Sequence, residues 1–213
     1  MSDGSWYLTL RKYNASGPPE EIGRRVREDL LPRLAQAAGF RAYYAARMDG
    51  GSGVFAVSVF ADRDAMLAAN AYAKAWAEPN LGALLTAAPE VKTVAVTVHL
   101  DAARQGQDSY VLVRMTEGLG PSSALLPTVQ ERLVPLTLEQ PGFRHLYSGR
   151  DEAQGDLAVS VSVFSNRSTA IAAHAQVAAL MARHRDLWPK PARIVLSGEV
   201  LAAAIAEKAD PHL

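Results

Sequence analysis

Residues Trp6 to Tyr13 alternate between apolar and polar and are rich in aromatic and β-branched types, which predicts a strand. Ile22, Val26, Leu30, Leu31 and Leu34 then recur at helical spacing. Pro32 sits late in that helix, where its missing donor predicts a stop or a kink before a second strand that opens at Gly39-Phe40-Arg41. Asp49-Gly50-Gly51-Ser52-Gly53 is a strong turn signal, and the run VFAVSVF behind it is the third strand of a hairpin. Asp62 stands where an N-cap oxygen is wanted, an alanine-rich helix follows to about Trp76, and Val91 to His99 closes the unit as a fourth strand. The order is βαββαβ, the ferredoxin-like pattern of an antiparallel four-stranded sheet with two helices on one face.

The pattern then repeats. A shift of 103 positions lays Tyr7 on Tyr110, Arg11 on Arg114, Gly17-Pro18 on Gly120-Pro121, and Val26, Glu28, Leu30 and Pro32 on Val129, Glu131, Leu133 and Pro135. Gly39-Phe40-Arg41, Tyr44 and Arg47 fall on Gly142-Phe143-Arg144, Tyr147 and Arg150 in the same register. After a one-residue insertion, Ser58-Val59-Phe60 meets Ser162-Val163-Phe164, and Asn166 takes the capping place of Asp62. Two copies of one unit are therefore expected, residues 1–100 and 109–213, joined by the polar linker 101–108. Each sheet leaves one face uncovered by its own helices, and two copies in one chain can cover each other. The fold class is thus α+β: two ferredoxin-like repeats packed sheet to sheet as an intramolecular α+β barrel, a pseudo-dimer to which a further homodimer could be added.

Composition narrows the chemistry. The 213 residues are 49% hydrophobic, enough for real cores, and contain no cysteine, which removes disulfides, thiolate metal sites and thiol nucleophiles. Lysines plus arginines equal aspartates plus glutamates at 22 each, without long blocks of one sign, so neither nucleic acid nor an anionic membrane is an expected partner. The N-terminal stretch lacks a basic region followed by an apolar run, and no eighteen apolar residues are consecutive, so a cytoplasmic protein without a membrane span is expected. No histidine and carboxylate set shows metal-ligand spacing, and Gly118-Leu119-Gly120 lacks the third glycine of a dinucleotide loop.

Gly-Phe-Arg entering strand two, AVSVF in strand three and the capped alanine-rich helix behind it resemble the antibiotic-biosynthesis-monooxygenase domain of the dimeric α+β barrel superfamily, twice over. That resemblance implies three readings. In the first, a small aromatic or quinol-like molecule is oxidised without a bound cofactor, with Asn70 and Trp76 of the first copy among the residues that hold it. In the second, heme is bound or degraded with His174 as ligand, since SNRSTAIAAHAQ matches the family's helix carrying a histidine two turns in. In the third, the barrel only binds a ligand or organises an assembly.

Alternation assigns faces to the strands. Leu8, Leu10, Phe55, Val57 and Val59, with Val111, Val113, Val159, Val161 and Val163, are expected under the helices. The opposite face should line the space between the sheets: Tyr7, Thr9, Arg11, Tyr13, Ser58 and Phe60 from the first copy, and Tyr110, Arg114, Ser160, Ser162 and Phe164 from the second. Thr97, His99 and Glu199 would join them from the last strands. Arg11 and Arg114 would then share one space, with Glu199 a candidate carboxylate, and aromatic walls with a few polar groups would form a small-molecule pocket. Because Asn70 is replaced by His174 and Trp76 by Leu180, any site should lie nearer one copy's second helix than the pseudo-axis.

Overall fold

The computed structural model describes residues 6–51, 53–102 and 109–206, so Ser52 of the first hairpin turn and most of the expected linker lie outside the described residues. The first repeat runs β1 (Trp6–Tyr13), α1 (residues 19–34), β2 (Phe40–Arg47), β3 (Val54–Phe60), α2 (Arg63–Leu81) and β4 (Glu90–Asp101). The second runs β5 (Tyr110–Thr116), α3 (residues 122–138), β6 (Phe143–Asp151), β7 (Ala158–Phe164), α4 (Arg167–Ala182) and β8 (Arg193–Ile205). Asp62 and Asn166 cap α2 and α4 as expected, their side-chain oxygens accepting from the amides of Ala65 at 2.8 Å and Thr169 at 3.0 Å.

The prolines do not end the first helices. Residues 26–30 in α1 and 129–133 in α3 form π-helical turns, and each helix continues through Pro32 or Pro135 to Leu34 or Leu138. A proline ring crowds the carbonyl one turn back and offers it no donor, and the wider turn relieves that conflict without breaking the helix.

All eight strands close into one antiparallel barrel in the order β1-β3-β2-β8-β5-β7-β6-β4. The two sheets therefore join at both edges as well as facing each other, and among the described residues no sheet edge is left open. The joins are made by the last strands: β4 of the first repeat pairs with β6 of the second, and β8 of the second pairs with β2 of the first. Glycines mark both joins, because a Cβ at Gly149 would lie 1.9 Å from the Ala95 carbonyl oxygen and one at Gly198 would lie 1.6 Å from that of Arg47. Matched polar contacts fasten the same region. Arg63 reaches Glu152 at 3.0 Å and its counterpart Arg167 reaches Asp49 at 3.3 Å, while the Asp49 and Glu152 amides donate to the carbonyls of Ser197 and Thr93.

The strand facing is the reverse of the one expected. Leu8, Leu10, Phe55, Val57 and Val59 pack with Val111, Val113, Val159, Val161 and Val163 in one core inside the barrel, together with the matched Tyr44 and Tyr147. The other face of each strand lies under its helices, where Phe60 packs with Ile22, Val26 and Met66, and Phe164 with Tyr110, Leu112 and Ala173. An eight-stranded barrel is just wide enough for its own side chains, so its dry interior takes β-branched residues and rejects guanidinium groups. Arginines are accommodated on the helix side. Among the described residues no helix is long and apolar enough to cross a membrane.

Candidate functional site

Arg11 and Arg114 thus occupy two separate layers, each between a sheet and its helices, rather than one space. In the first repeat Arg11 is 8% exposed and donates to Ser58 Oγ at 3.4 Å and to Asn70 Oδ1, while the Asn70 amide donates to Thr9 Oγ1 at 3.0 Å. Strand and helix are stitched by this network, and every acceptor in it is neutral. What remains of the layer is a cleft of about 30 Å³, lined by Tyr13, Tyr43 and Trp76 among others. Burial raises the Tyr13 and Tyr43 hydroxyls above the ordinary tyrosine value, so both stay protonated at neutral pH.

The second repeat keeps the arginine and loses the plug. Its layer holds a cavity of about 120 Å³ between β5, β6 and β7 on one side and α3 and α4 on the other. Leu125, Val129 and Leu133 of α3 and Val177 and Met181 of α4 supply apolar walls. The sheet supplies Arg114 and the hydroxyls of Thr116, Ser148 and Ser160, with Thr97 arriving from β4. Ser148 and Ser160 hydrogen-bond to each other at 2.7 Å. Each difference between the layers traces to the repeat register: Tyr13 becomes Thr116, Tyr43 becomes Leu146, Ala45 becomes Ser148 and Ala56 becomes Ser160. Aromatic bulk is exchanged for space, and methyl groups for hydroxyls.

Arg114 is 7% exposed; among the described residues its one hydrogen bond goes to Ser162 Oγ at 2.6 Å, and no carboxylate pairs with it. Burial lowers its guanidinium to about 10, which leaves the group charged at neutral pH. His174 takes the place of Asn70 behind it. Burial, and then the positive charge of Arg114, hold the imidazole below its ordinary value, and its buried Nδ1 has no hydrogen-bond partner. His174 is not on the cavity wall.

The other expected site residues are dispersed. Tyr110 is buried and donates its hydroxyl to Asp49 at the junction of the repeats. Phe60 and Phe164 are core, in edge contact with Phe40 at 5.9 Å and Phe143 at 5.7 Å. Tyr7 packs on the helix side of the first repeat. Glu199 is exposed and pairs with Arg47, not with Arg11 or Arg114, because β8 carries it out along the join with β2. His99 lies opposite Tyr147, on the barrel side of β4 as expected, but it is exposed at the barrel's end and stacked on Trp6 with ring centroids 3.9 Å apart. The sequence reading missed Thr116 and Ser148, which only a copy-by-copy comparison of side-chain size would reveal.

The volume of this cavity is near that of the roughly 150 Å³ cavity known to hold one benzene, and His174 is not among its lining residues. Among the described residues no group of three or more histidines and carboxylates could hold a metal ion.

No protein-family model and no curated protein sequence matches the chain. Solved structures do. A candidate monooxygenase from Fusobacterium nucleatum superposes with a TM-score of 0.74 at 12% identity, over 95% of each chain. An anthrone oxidase-like protein superposes with a TM-score of 0.58 at 15% identity, covering 99% of this chain and 98% of its own. A chlorite dismutase variant from Candidatus Nitrospira defluvii gives 0.60 at 11% identity, over 93% of this chain and 92% of its own. At these identities the likeness shows the fold, the dimeric α+β barrel built here within one chain.

Proposed function

We propose that this chain binds one small single-ring aromatic molecule in the cavity of its second repeat and oxidises it with molecular oxygen, as the cofactor-independent monooxygenases that the sequence resembles do. The observation that carries the reading is the difference between two otherwise matched layers, about 30 Å³ behind Trp76 and Tyr43 against about 120 Å³ behind Thr116 and Ser160. A cavity in a packed layer is unfavourable unless it serves something, and this one has apolar walls with several hydroxyls and two guanidinium groups, Arg114 and the carbonyl-bound Arg150, the composition of a ligand site. The monooxygenase and oxidase names among the structural neighbours support the oxidoreductase class.

The chemistry closes without a second reductant. A monocyclic phenol and one O₂ give a quinone and one water: the ring supplies all four electrons, one oxygen atom becomes the new carbonyl and the other leaves as water. The protein's part is to exclude bulk water, orient the ring against the α3 and α4 walls and hold its polar substituent among Ser148, Ser160 and Arg114. The test is oxygen consumption with a panel of monocyclic phenols and hydroquinones, with quinone formation measured in parallel. The reading requires quinone equal to oxygen consumed, abolished by Thr116→Tyr, which rebuilds the first repeat's plug. Binding with no consumption above the protein-free rate would make the barrel a ligand-binding module instead.

A further inference from the structure

We infer that Arg114 is the receptor for an oxyanion carried on the ligand's ring, a carboxylate or a phenolate, so that this chain selects anionic over neutral ligands of the same shape. The inference rests on the cavity of the second repeat being the ligand site and deepens that reading.

A guanidinium offers five donors in a planar fork, and a buried one is ordinarily matched by a carboxylate or by several carbonyl oxygens. Arg114 is buried, and among the described residues only Ser162 accepts from it. The imidazole of His174 behind it can add positive charge but no negative charge. The layer therefore carries an uncompensated cation on the wall of a cavity. The first repeat shows what normally answers that charge, because there Asn70 places an amide oxygen on Arg11. Replacing the amide with His174, whose Nδ1 is itself buried and unpartnered, removes the internal acceptor while keeping the cation.

A ligand oxyanion supplies the missing acceptor. Arg114 is fixed by Ser162, so its remaining N–H groups are preorganised for a planar anion, and Ser160 or Ser148 can donate to a second ligand oxygen. The volume limits the body of that ligand to about one ring. A phenol held this way is bound as its anion, its proton having gone to solvent, and the phenolate is the form that gives an electron to oxygen most readily.

The experiment uses the full chain and three probes: benzoate, its neutral isostere benzamide, and 4-nitrophenol, whose anion absorbs in the visible. Calorimetry should find one benzoate per chain, bound more tightly than benzamide by about 10- to 100-fold, as expected for a hydrogen bond to a charged group. Bound 4-nitrophenol should turn yellow at a lower pH than in buffer. Arg114→Met should erase the benzoate preference and the spectral shift, with its folded state checked by circular dichroism. His174→Asn, which keeps Arg114 but offers it an internal acceptor as in the first repeat, should weaken benzoate while leaving benzamide unchanged. Benzoate tight with nitrophenol unshifted would assign the site to carboxylates, and the converse to phenolates. Benzamide binding as well as benzoate, blocked by Thr116→Tyr, would overturn the oxyanion inference and leave the cavity as a neutral-ligand site. No binding by either anion would also overturn it. Benzoate binding without oxygen consumption by any phenol would instead keep the anion site and remove the oxidase reading.

Discussion

Arg11 donates to the side-chain oxygen of Asn70, a bond that ties the middle of β1 to the second helix of the first repeat. Without it, Arg11 would keep one long contact to Ser58 at 3.4 Å inside a layer that excludes water. Asn70→Ala should therefore destabilise the chain by on the order of 1–3 kcal/mol, the cost of leaving a buried charged donor unanswered. Urea unfolding measures this. Ligand binding in the second repeat should not change, because no residue of that network lines the larger cavity.

The reciprocal change should stabilise. His174→Asn replaces an imidazole whose buried Nδ1 is unpartnered by an amide that can accept from Arg114, as Asn70 does from Arg11. A gain of about 1 kcal/mol is expected in unfolding free energy. An unchanged or lower stability would mean that the second layer does not close as the first does.

Filling the cavity should act in the same direction. By the roughly 24 cal/mol per Å³ measured for closed packing voids, 120 Å³ sets an upper bound of about 3 kcal/mol for a cavity that opens partly to solvent. Thr116→Tyr and Leu146→Tyr place the phenols of Tyr13 and Tyr43 at their matched positions and should each recover part of that, on the order of 1 kcal/mol, less any strain of overpacking. A raised thermal midpoint together with lost ligand binding is the expected result; a lowered midpoint would show that the α3 and α4 walls cannot accept the ring.

Much of this was legible in the sequence, and what was not has a physical cause. The repeat, the order of elements, the caps at Asp62 and Asn166 and the asymmetry between Asn70 and His174 all follow from local patterns. Strand facing does not, because both faces of β1 are buried: Leu8 and Leu10 alternate with Thr9 and Arg11, and alternation alone cannot say which set meets the helices. The polar set was expected to face open space between the sheets, but a barrel of eight strands encloses none. The open space lies in the second helix layer, where it depends on the bulk of Tyr13 against Thr116 and Tyr43 against Leu146, a difference that only the folded packing turns into volume.

Mild acid should weaken the fold through its histidines. His174, by burial and then the charge of Arg114, and His99, by desolvation against Trp6, both have folded-state values below 6.5. Above that pH both are neutral whether the chain is folded or not, so they leave stability unchanged. Below it the unfolded chain takes up protons first, and stability falls as pH drops from 6.5 toward the folded-state values. Unfolding free energies measured near pH 8 and near pH 5.5 should differ, and His174→Asn should reduce that difference without abolishing it, His99 supplying the rest. A difference of the same size in the variant would place the acid sensitivity elsewhere.

Neither repeat should fold by itself. A fragment of residues 1–104 would carry β4 without β6 and β2 without β8, leaving two open strand edges. It would also expose Leu8, Leu10, Val57, Val59 and Tyr44, which in the whole chain are buried against Val111, Val113, Val161 and Val163. The fragment should therefore aggregate or pair with a second copy, seen in its sedimentation, and a soluble monomer with a cooperative melt near that of the full chain would contradict the shared barrel core. A single substitution tests the same join within the intact protein. Gly198→Ala drives a Cβ into the Arg47 carbonyl where β8 crosses to β2, and because that contact is with backbone rather than a movable side chain, the strands must separate locally. A loss on the order of 1–3 kcal/mol is expected, whereas Gly155→Ala, in a turn with no atom near the added methyl, should leave the unfolding midpoint almost where it was.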